Sequence, residues 1–394
     1  MAGHGTKLRR LVGMGAGTGL LLAAAAMATG SAAPVKADFD DLLDPILQPL
    51  ISSFTESITA LDPAAATDVS SLLDSLGLGS FDSLTSSATE PAAAVAAADS
   101  PVTGTYDIPL TVKEDTEPTV QATIDGGSNT LLVDTGSSGL VIPWQALDSS
   151  NPFQALEDLF QLGFPTGISE SGYSGGVEYI YLTYNDVPTD YGDGVLDTTG
   201  PVDIEVLSWP TSFSSPLDFQ QFLQDDDVTG ILGIGDSSSA AGPTESPLQT
   251  LGYGGVLVDI PGKELVVEPT APGGGVTVDG APISQLYESV DGGTRTELYD
   301  DVDSGGVYGT IPSSLVGNAG SLPSGATIDV YDGANGPLLY SYTTGTDSLD
   351  QSTAPTVESG IGTSSSPIDS GVEPFLQEPI YLDYGNDTMT FYPK

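Results

Sequence analysis

Two short stretches pair an aspartate with a small hydroxyl residue and a glycine. One is Asp134-Thr135-Gly136, continued by Ser137-Ser138; the other is Asp303-Ser304-Gly305, continued by Gly306. The first follows the apolar run Thr130-Leu131-Leu132-Val133 and the second follows Val302. Such a run delivers a carboxylate onto a tight loop at the end of a buried strand. Glycine permits close backbone approach, and hydroxyl and backbone N–H groups hold a carboxylate ionised and oriented. Two such loops could bring their aspartates together across a pseudo-twofold axis. Like charges that close cannot both ionise, so the pair shares one proton. One carboxyl then serves as base on a water and the other as acid towards a carbonyl.

The residues the chain lacks narrow the chemistry. It has no cysteine, and its single histidine is His4, inside a stretch that reads as an export signal. Without that stretch, Ser-His-Asp and Cys-His catalysis are excluded, as are zinc sites held by histidine or cysteine. Catalysis must rest on carboxylates, hydroxyls, four remaining lysines and arginines, or an oxygen-ligated metal. Plainer readings of the same residues stand beside the catalytic one. Asp-Thr-Gly also occurs in turns where the aspartate caps an N–H. Asp300, Asp301 and Asp303 also read as a solvated acidic turn or a loose calcium loop.

The elements that must position these loops follow from composition. Lys7, Arg9 and Arg10 precede an apolar stretch over 11–26 and small residues, which is the pattern of a secretory signal over 1–37, cleaved after Ala37 or Ala33. An uncleaved anchor is the alternative. The net charge is −46. Cleavage after Ala37 leaves 4 basic and 54 acidic residues, a charge of −50, which repels nucleic acid and anionic lipid. Only 16% of residues are charged and 39% are hydrophobic, so the chain is a folded acidic protein. Residues 38–100 read as an acidic spacer or pro-segment. Helical spacing from Leu42 to Leu61 and from Val69 to Leu76 makes it partly helical.

From Gly104 short apolar-alternating runs are separated by Gly, Pro, Asn and Asp turns, which predicts an all-β fold. The runs include Tyr106–Val112, Thr119–Ile124, Thr130–Val133, Val177–Tyr184, Val202–Val206, Ile231–Ile234, Gly255–Ile260 and Glu264–Val267. Later ones are Ile328–Tyr331, Leu338–Tyr342, Ile380–Tyr384 and Thr388–Tyr392. Two β-lobes, 101–250 and 251–394, account for so many strands better than one sandwich. Gln154–Leu162 is the one convincing helix among them.

At these residues the chain resembles the pepsin-like aspartic proteases. Asp134–Pro143 looks like the family's first active-site loop, and Tyr173-Ser174-Gly175-Gly176 like the tip of its flap. Val228-Thr229-Gly230-Ile231-Leu232-Gly233 looks like the strand that closes the first loop, and Asp303-Ser304-Gly305 takes the place of the second. Ile380–Tyr384, the Gly385-Asn386-Asp387 turn and Thr388–Tyr392 look like the closing hairpin. The resemblance spans roughly residues 104–394 and is closest to the mycobacterial PE-cleavage aspartic proteases. It implies a bilobal fold in which Asp134 and Asp303 form the catalytic dyad. Thr135 and Ser304 would brace the loops across the interface, and Gly136 and Gly305 would permit their geometry. Ser137 would bond Asp134 from outside, and Tyr173 and Gly175 would close over the substrate. No metal or cofactor is implied.

Three departures stand out. Val141 occupies the place of an aromatic residue that supports the flap tyrosine, with Trp144 nearby. Gly306 stands where a serine or threonine is usual, which makes Asp303 the proton carrier. No clear apolar-apolar-Gly strand follows the second loop. The expected function is a secreted or surface endopeptidase, monomeric, without a membrane span after cleavage. It would act on protein or peptide substrates, PE-type exported proteins among them, and not bind nucleic acid. The alternative is a catalytically silent surface binding or adhesion protein on a protease-like fold.

Overall fold

Burial alternates along several of the predicted runs and is continuous along central ones such as Gly230–Ile234, and both patterns are those of strands. In Tyr106–Lys113, for example, Ile108 and Leu110 point inward while their neighbours face water. The computed structural model describes residues 104–393 apart from 175, 213, 214, 269 and 318–320. The expected signal over 1–37 and the spacer over 38–100, with its helical runs, lie outside the described residues, as does Gly175.

The described residues form an all-β protein. Its first strands are β1 (Tyr106–Lys113), β2 (Glu117–Ile124), β3 (Gly127–Asp134), β4 (Ser138–Pro143), β5 (Gly167–Tyr173), β6 (Val177–Tyr191), β7 (Leu196–Pro210) and β8 (Gly230–Ile234). Next come β9 (Gly255–Asp259), β10 (Glu264–Glu268), β11 (Val276–Asp279), β12 (Ile283–Val290), β13 (Thr296–Asp301) and β14 (Thr310–Pro312). The last are β15 (Thr327–Tyr331), β16 (Leu338–Thr343), β17 (Thr356–Glu358), β18 (Ile368–Asp369), β19 (Ile380–Asp383) and β20 (Thr388–Phe391). Four short helices interrupt them: α1 (Pro152–Gln161), α2 (Phe219–Asp225), α3 (Pro247–Thr250) and α4 (Glu373–Gln377).

A 13-stranded sheet runs in the order β11-β20-β19-β9-β10-β1-β2-β3-β8-β4-β7-β6-β5. A 5-stranded sheet, β16-β15-β12-β13-β18, and the pair β14-β17 complete the fold. Strand β1 belongs to two ladders. Its first half pairs with β10 and its second with β2, so the N-terminal strand ties the closing hairpin β19–β20 to the sheet that carries Asp134. One buried cluster includes Val133, Leu232, Val256, Leu286, Val302 and Phe391. A second gathers Leu132, Val141, Tyr173, Tyr179, Phe219, Phe222 and Ile231.

The structure departs from the sequence reading at identifiable places. Strands β6 and β7 are 15 residues long, because register shifts at Ile180/Tyr181 and Tyr184/Val187 let the ladder continue past the predicted end at Tyr184. The predicted helix is α1, started by Asn151, whose side chain accepts from the Phe153 N–H. It is not the only one: α2 is capped in the same way by Asp218. Strands β12 and β13 escaped the reading because polar Ser284, Glu288 and Asp300 occupy inward positions, which breaks the apolar alternation. Asp300 is therefore a fully buried strand residue and not part of a solvated turn.

Candidate active site

Strand β3 ends on Asp134 and pairs in parallel with β8, which sets Asp134 opposite Gly233. Strand β4 returns antiparallel to the same β8, with Gly139 opposite Gly233. The loop 135–137 is thus pinned at both ends. Only glycine fits at 233, since a Cβ there would lie 2.7 Å from the Ser138 backbone. The second loop is entered the same way. Strand β13 pairs in parallel with β18, Asp300 opposite Ile368 and Asp301 opposite Asp369, and leads into Val302 and Asp303. The closing strand missing from the sequence reading is thus Ile368-Asp369-Ser370-Gly371. Its polar Asp369 and Ser370 stand where the first loop has Ile231 and Leu232, which is why no apolar pattern betrayed it.

The two loops brace each other reciprocally. The Thr135 hydroxyl donates to the Val302 carbonyl at 2.6 Å and accepts from the Ser304 N–H at 2.9 Å. The Ser304 hydroxyl donates to the Val133 carbonyl at 2.6 Å and accepts from the Thr135 N–H at 3.1 Å. All of this is buried, so no water competes. The glycines complete the fit. A Cβ on Gly136 would lie 2.5 Å from Asp303 Cγ, and one on Gly305 would lie 2.9 Å from Asp134 Cγ. Each glycine therefore lets the opposite carboxyl lie against its backbone.

Asp134 and Asp303 are both fully buried, and their Oδ1 atoms share the Gly136 N–H. Asp134 Oδ1 accepts from the Gly136 N–H at 2.9 Å, and Oδ2 from the Ser137 hydroxyl at 2.5 Å. Asp303 Oδ1 accepts from the Gly305 N–H at 2.8 Å and the Gly136 N–H at 3.2 Å. Asp303 Oδ2 has no partner. Burial pushes both carboxyls above the ordinary carboxylate range. For Asp134 the bonds from Asp303, Ser137 and Gly136 offset this; for Asp303 the charges of Asp134, Asp369 and Asp301 add to it. Both directions disfavour a doubly ionised pair, so the two carboxyls titrate as one coupled unit.

Strands β5 and β6 form a hairpin whose last pair is Tyr173 opposite Val177. Tyr173 is only 4% exposed. Its ring stacks on Tyr179, Phe219 and Phe222, with centroids 5.6–5.9 Å apart. Its hydroxyl has no hydrogen-bond partner of good geometry. The ring is close enough to the dyad for the Asp134 charge to act on its phenol. Val141 packs in the same cluster, whereas Trp144 packs against the other core, so α2 and not Trp144 supplies the aromatic support. The spacing Phe219, Phe222, Leu223 after the Asp218 cap was the signal that could have found it. Among the described residues no group of acids is arranged to hold a metal ion.

Fold and site together define an all-β protein with a paired-carboxyl centre held between two equivalent loops. The family model of the PE-PGRS C-terminal aspartyl peptidase-like domain matches residues 106–391, and the chain belongs to that family. It is 38% identical over 294 residues to PE cleavage protein A of Mycobacterium tuberculosis (strain ATCC 25618 / H37Rv), a match covering 70% of this chain and 49% of the relative. It is also 38% identical over 307 residues to PE cleavage protein A of Mycobacterium marinum (strain ATCC BAA-535 / M), covering 72% of this chain and 52% of the relative. The chain thus spans about half the length of the curated relatives it matches.

Proposed function

We propose that this protein is an aspartic endopeptidase with a bilobal, pepsin-like fold. Its reading as a peptidase of PE-type proteins rests on its likeness to the PE cleavage proteins A. The observation that carries the peptidase reading is the reciprocal bracing of two loops around Asp134 and Asp303, whose Oδ1 atoms share the Gly136 N–H. In the hydrolysis, ionised Asp134 takes a proton from a water lying between the carboxyls, and that water's oxygen bonds to the scissile carbonyl carbon. Asp303 gives its proton to the carbonyl oxygen. The tetrahedral adduct collapses as the C–N bond breaks and the amine leaves with a proton. No covalent enzyme intermediate forms. Among the described residues strand β5 pairs only with β6 and ends the large sheet, so its other edge can pair with an extended peptide. The charge of −46 favours neutral or basic substrates over nucleic acid. The signal pattern over 1–37 supports a secreted or cell-envelope location.

The test is cleavage of a flexible peptide or a PE-type substrate by the purified chain. Asp134→Ala or Asp303→Ala should each abolish cleavage, since acid and base act as one unit. EDTA should leave it unchanged. Substantial activity in either variant, or loss with EDTA, would contradict the scheme. A folded protein cleaving nothing between about pH 3 and 8 would favour the binding reading.

A further inference from the structure

The two loops differ in one respect that the bracing does not explain. In the first, the residue after the glycine is Ser137, whose hydroxyl bonds the outer oxygen of Asp134. In the second the matching residue is Gly306, and the outer oxygen of Asp303 is buried without a partner. The volume of a residue-306 side chain is not empty. A Cβ on Gly306 would collide with the Asp369 carboxyl, 2.7 Å from its Cγ. Asp369 reaches that place because β18 pairs in parallel with β13 and sets it beside Asp301. The Gly371 N–H fixes its Oδ1 at 2.8 Å, and the Thr310 hydroxyl accepts from its backbone N–H at 3.0 Å. The only nearby hydroxyl of the closing strand, that of Ser370, is committed. It accepts from the Asp303 N–H and donates to the Gly371 carbonyl.

We propose that Asp369 is a positioning residue for the dyad: its carboxyl fills the place that Ser137 fills in the first loop, and it holds the catalytic proton on Asp303. The two outer groups then act in opposite senses. A hydroxyl donor stabilises ionised Asp134, whereas a neighbouring carboxyl opposes ionisation of Asp303. One aspartate is fixed as base and the other as acid, although the inner contacts of the two loops are nearly equivalent. The groups facing Asp369 agree with this. They are Asp134 and Asp303 from the two loops, Asp300 from β13, Glu358 from β17 and Tyr342 from β16, with Asp301 paired alongside. The charges that act most on Asp369 and Asp303 are those of carboxylates.

The proposal rests on the peptidase reading, and its test separates the two. The alkaline limb of the kcat profile reports loss of the shared proton. Burial pushes the Asp369 carboxyl itself well above the ordinary range, so it gains its charge over the same rise in pH in which the dyad loses its proton. Asp369→Asn removes that competing charge, lowers the pH at which Asp303 deprotonates, and should move that limb about 1 pH unit towards acid with KM unchanged. A second variant inverts the outer group: Gly306→Ser combined with Asp369→Ala supplies a donor to Asp303 and should move the limb at least as far. Gly306→Ser alone should lose activity through the collision with Asp369, and the added Asp369→Ala should restore it. Carboxyl-carbon NMR titration of Asp303 in wild type and Asp369→Asn reads the same shift without substrate. An Asp303 titration unchanged in the variant overturns the role of Asp369, whether or not the wild type cleaves peptides. An inactive wild type with the expected shift overturns only the peptidase reading. If Asp369→Asn does not fold, Asp369→Ser is titrated instead, with the same outcomes.

Discussion

Asp300 should make this protein less stable as pH rises, and Asp300→Asn should remove that loss. The side chain is fully buried on β13. Its Oδ2 accepts only a long 3.5 Å bond from the Tyr340 hydroxyl, and its Oδ1 has no partner. Burial pushes its carboxyl up to about 7, and the two form one coupled system with buried Glu288. In the unfolded chain an aspartate releases its proton near pH 4. The folded state therefore holds a proton that the unfolded state has lost. Its contribution is complete below about pH 4 and falls as pH rises through about 7. The loss between about pH 5 and pH 8 is on the order of 2–3 kcal/mol, from a slope that levels off above the folded pKa. Asparagine keeps an acceptor for Tyr340 and carries no charge. Glu205 and Glu373, each also pushed up to about 7 by burial, titrate in the same direction, so only the difference between wild type and variant isolates Asp300. Urea unfolding followed by the fluorescence of Trp144 and Trp209 would give stability at each pH. The wild type should lose roughly 2–3 kcal/mol more than the variant over that range. Wild-type stability that is flat or rising from about pH 5 to 8, or a variant that falls as steeply, would refute the reasoning.

Three further outcomes follow from the site. Ser137→Ala removes the 2.5 Å bond that favours ionised Asp134, so the acidic limb of the activity profile should rise by about 1 pH unit, measured as kcat against pH at fixed ionic strength. Gly305→Ala places a Cβ 2.9 Å from Asp134 Cγ and should cut kcat at least about 100-fold, as 1 Å misplacements do, while circular dichroism still reports a folded sheet protein. Tyr173→Phe deletes a buried hydroxyl without a good partner, so its Tm should stay level or rise, whereas Tyr173→Ala should cost about 3–5 kcal/mol of stability by opening a cavity against Phe219 and Phe222.

What the sequence could disclose follows the contrast between the two halves of the site. Around Asp134, local chemistry and long-range packing agree. The run Leu131-Leu132-Val133 is buried, the partner Ile231-Leu232-Gly233 is apolar with its glycine, and Ser137 bonds the carboxylate, so each residue type announces its place. Around Asp303 they disagree. Strand β13 buries Asp300, its partner β18 contributes only Ile368 and Asp369, and Gly306 lacks a side chain because Asp369 takes the space. A hydrophobic pattern cannot reveal strands whose inward positions are carboxyls. Such positions are tolerated only where protons neutralise them. The residues that hid the second half of the site from the sequence are thus the ones that titrate with it. The acids that spoil the apolar pattern of β13 and β18 bias the proton onto Asp303 and weaken the fold above neutral pH. If so, the acidic working range of the dyad and the acidic stability range of the fold share one cause. Removing Asp369 should narrow the first and removing Asp300 should widen the second.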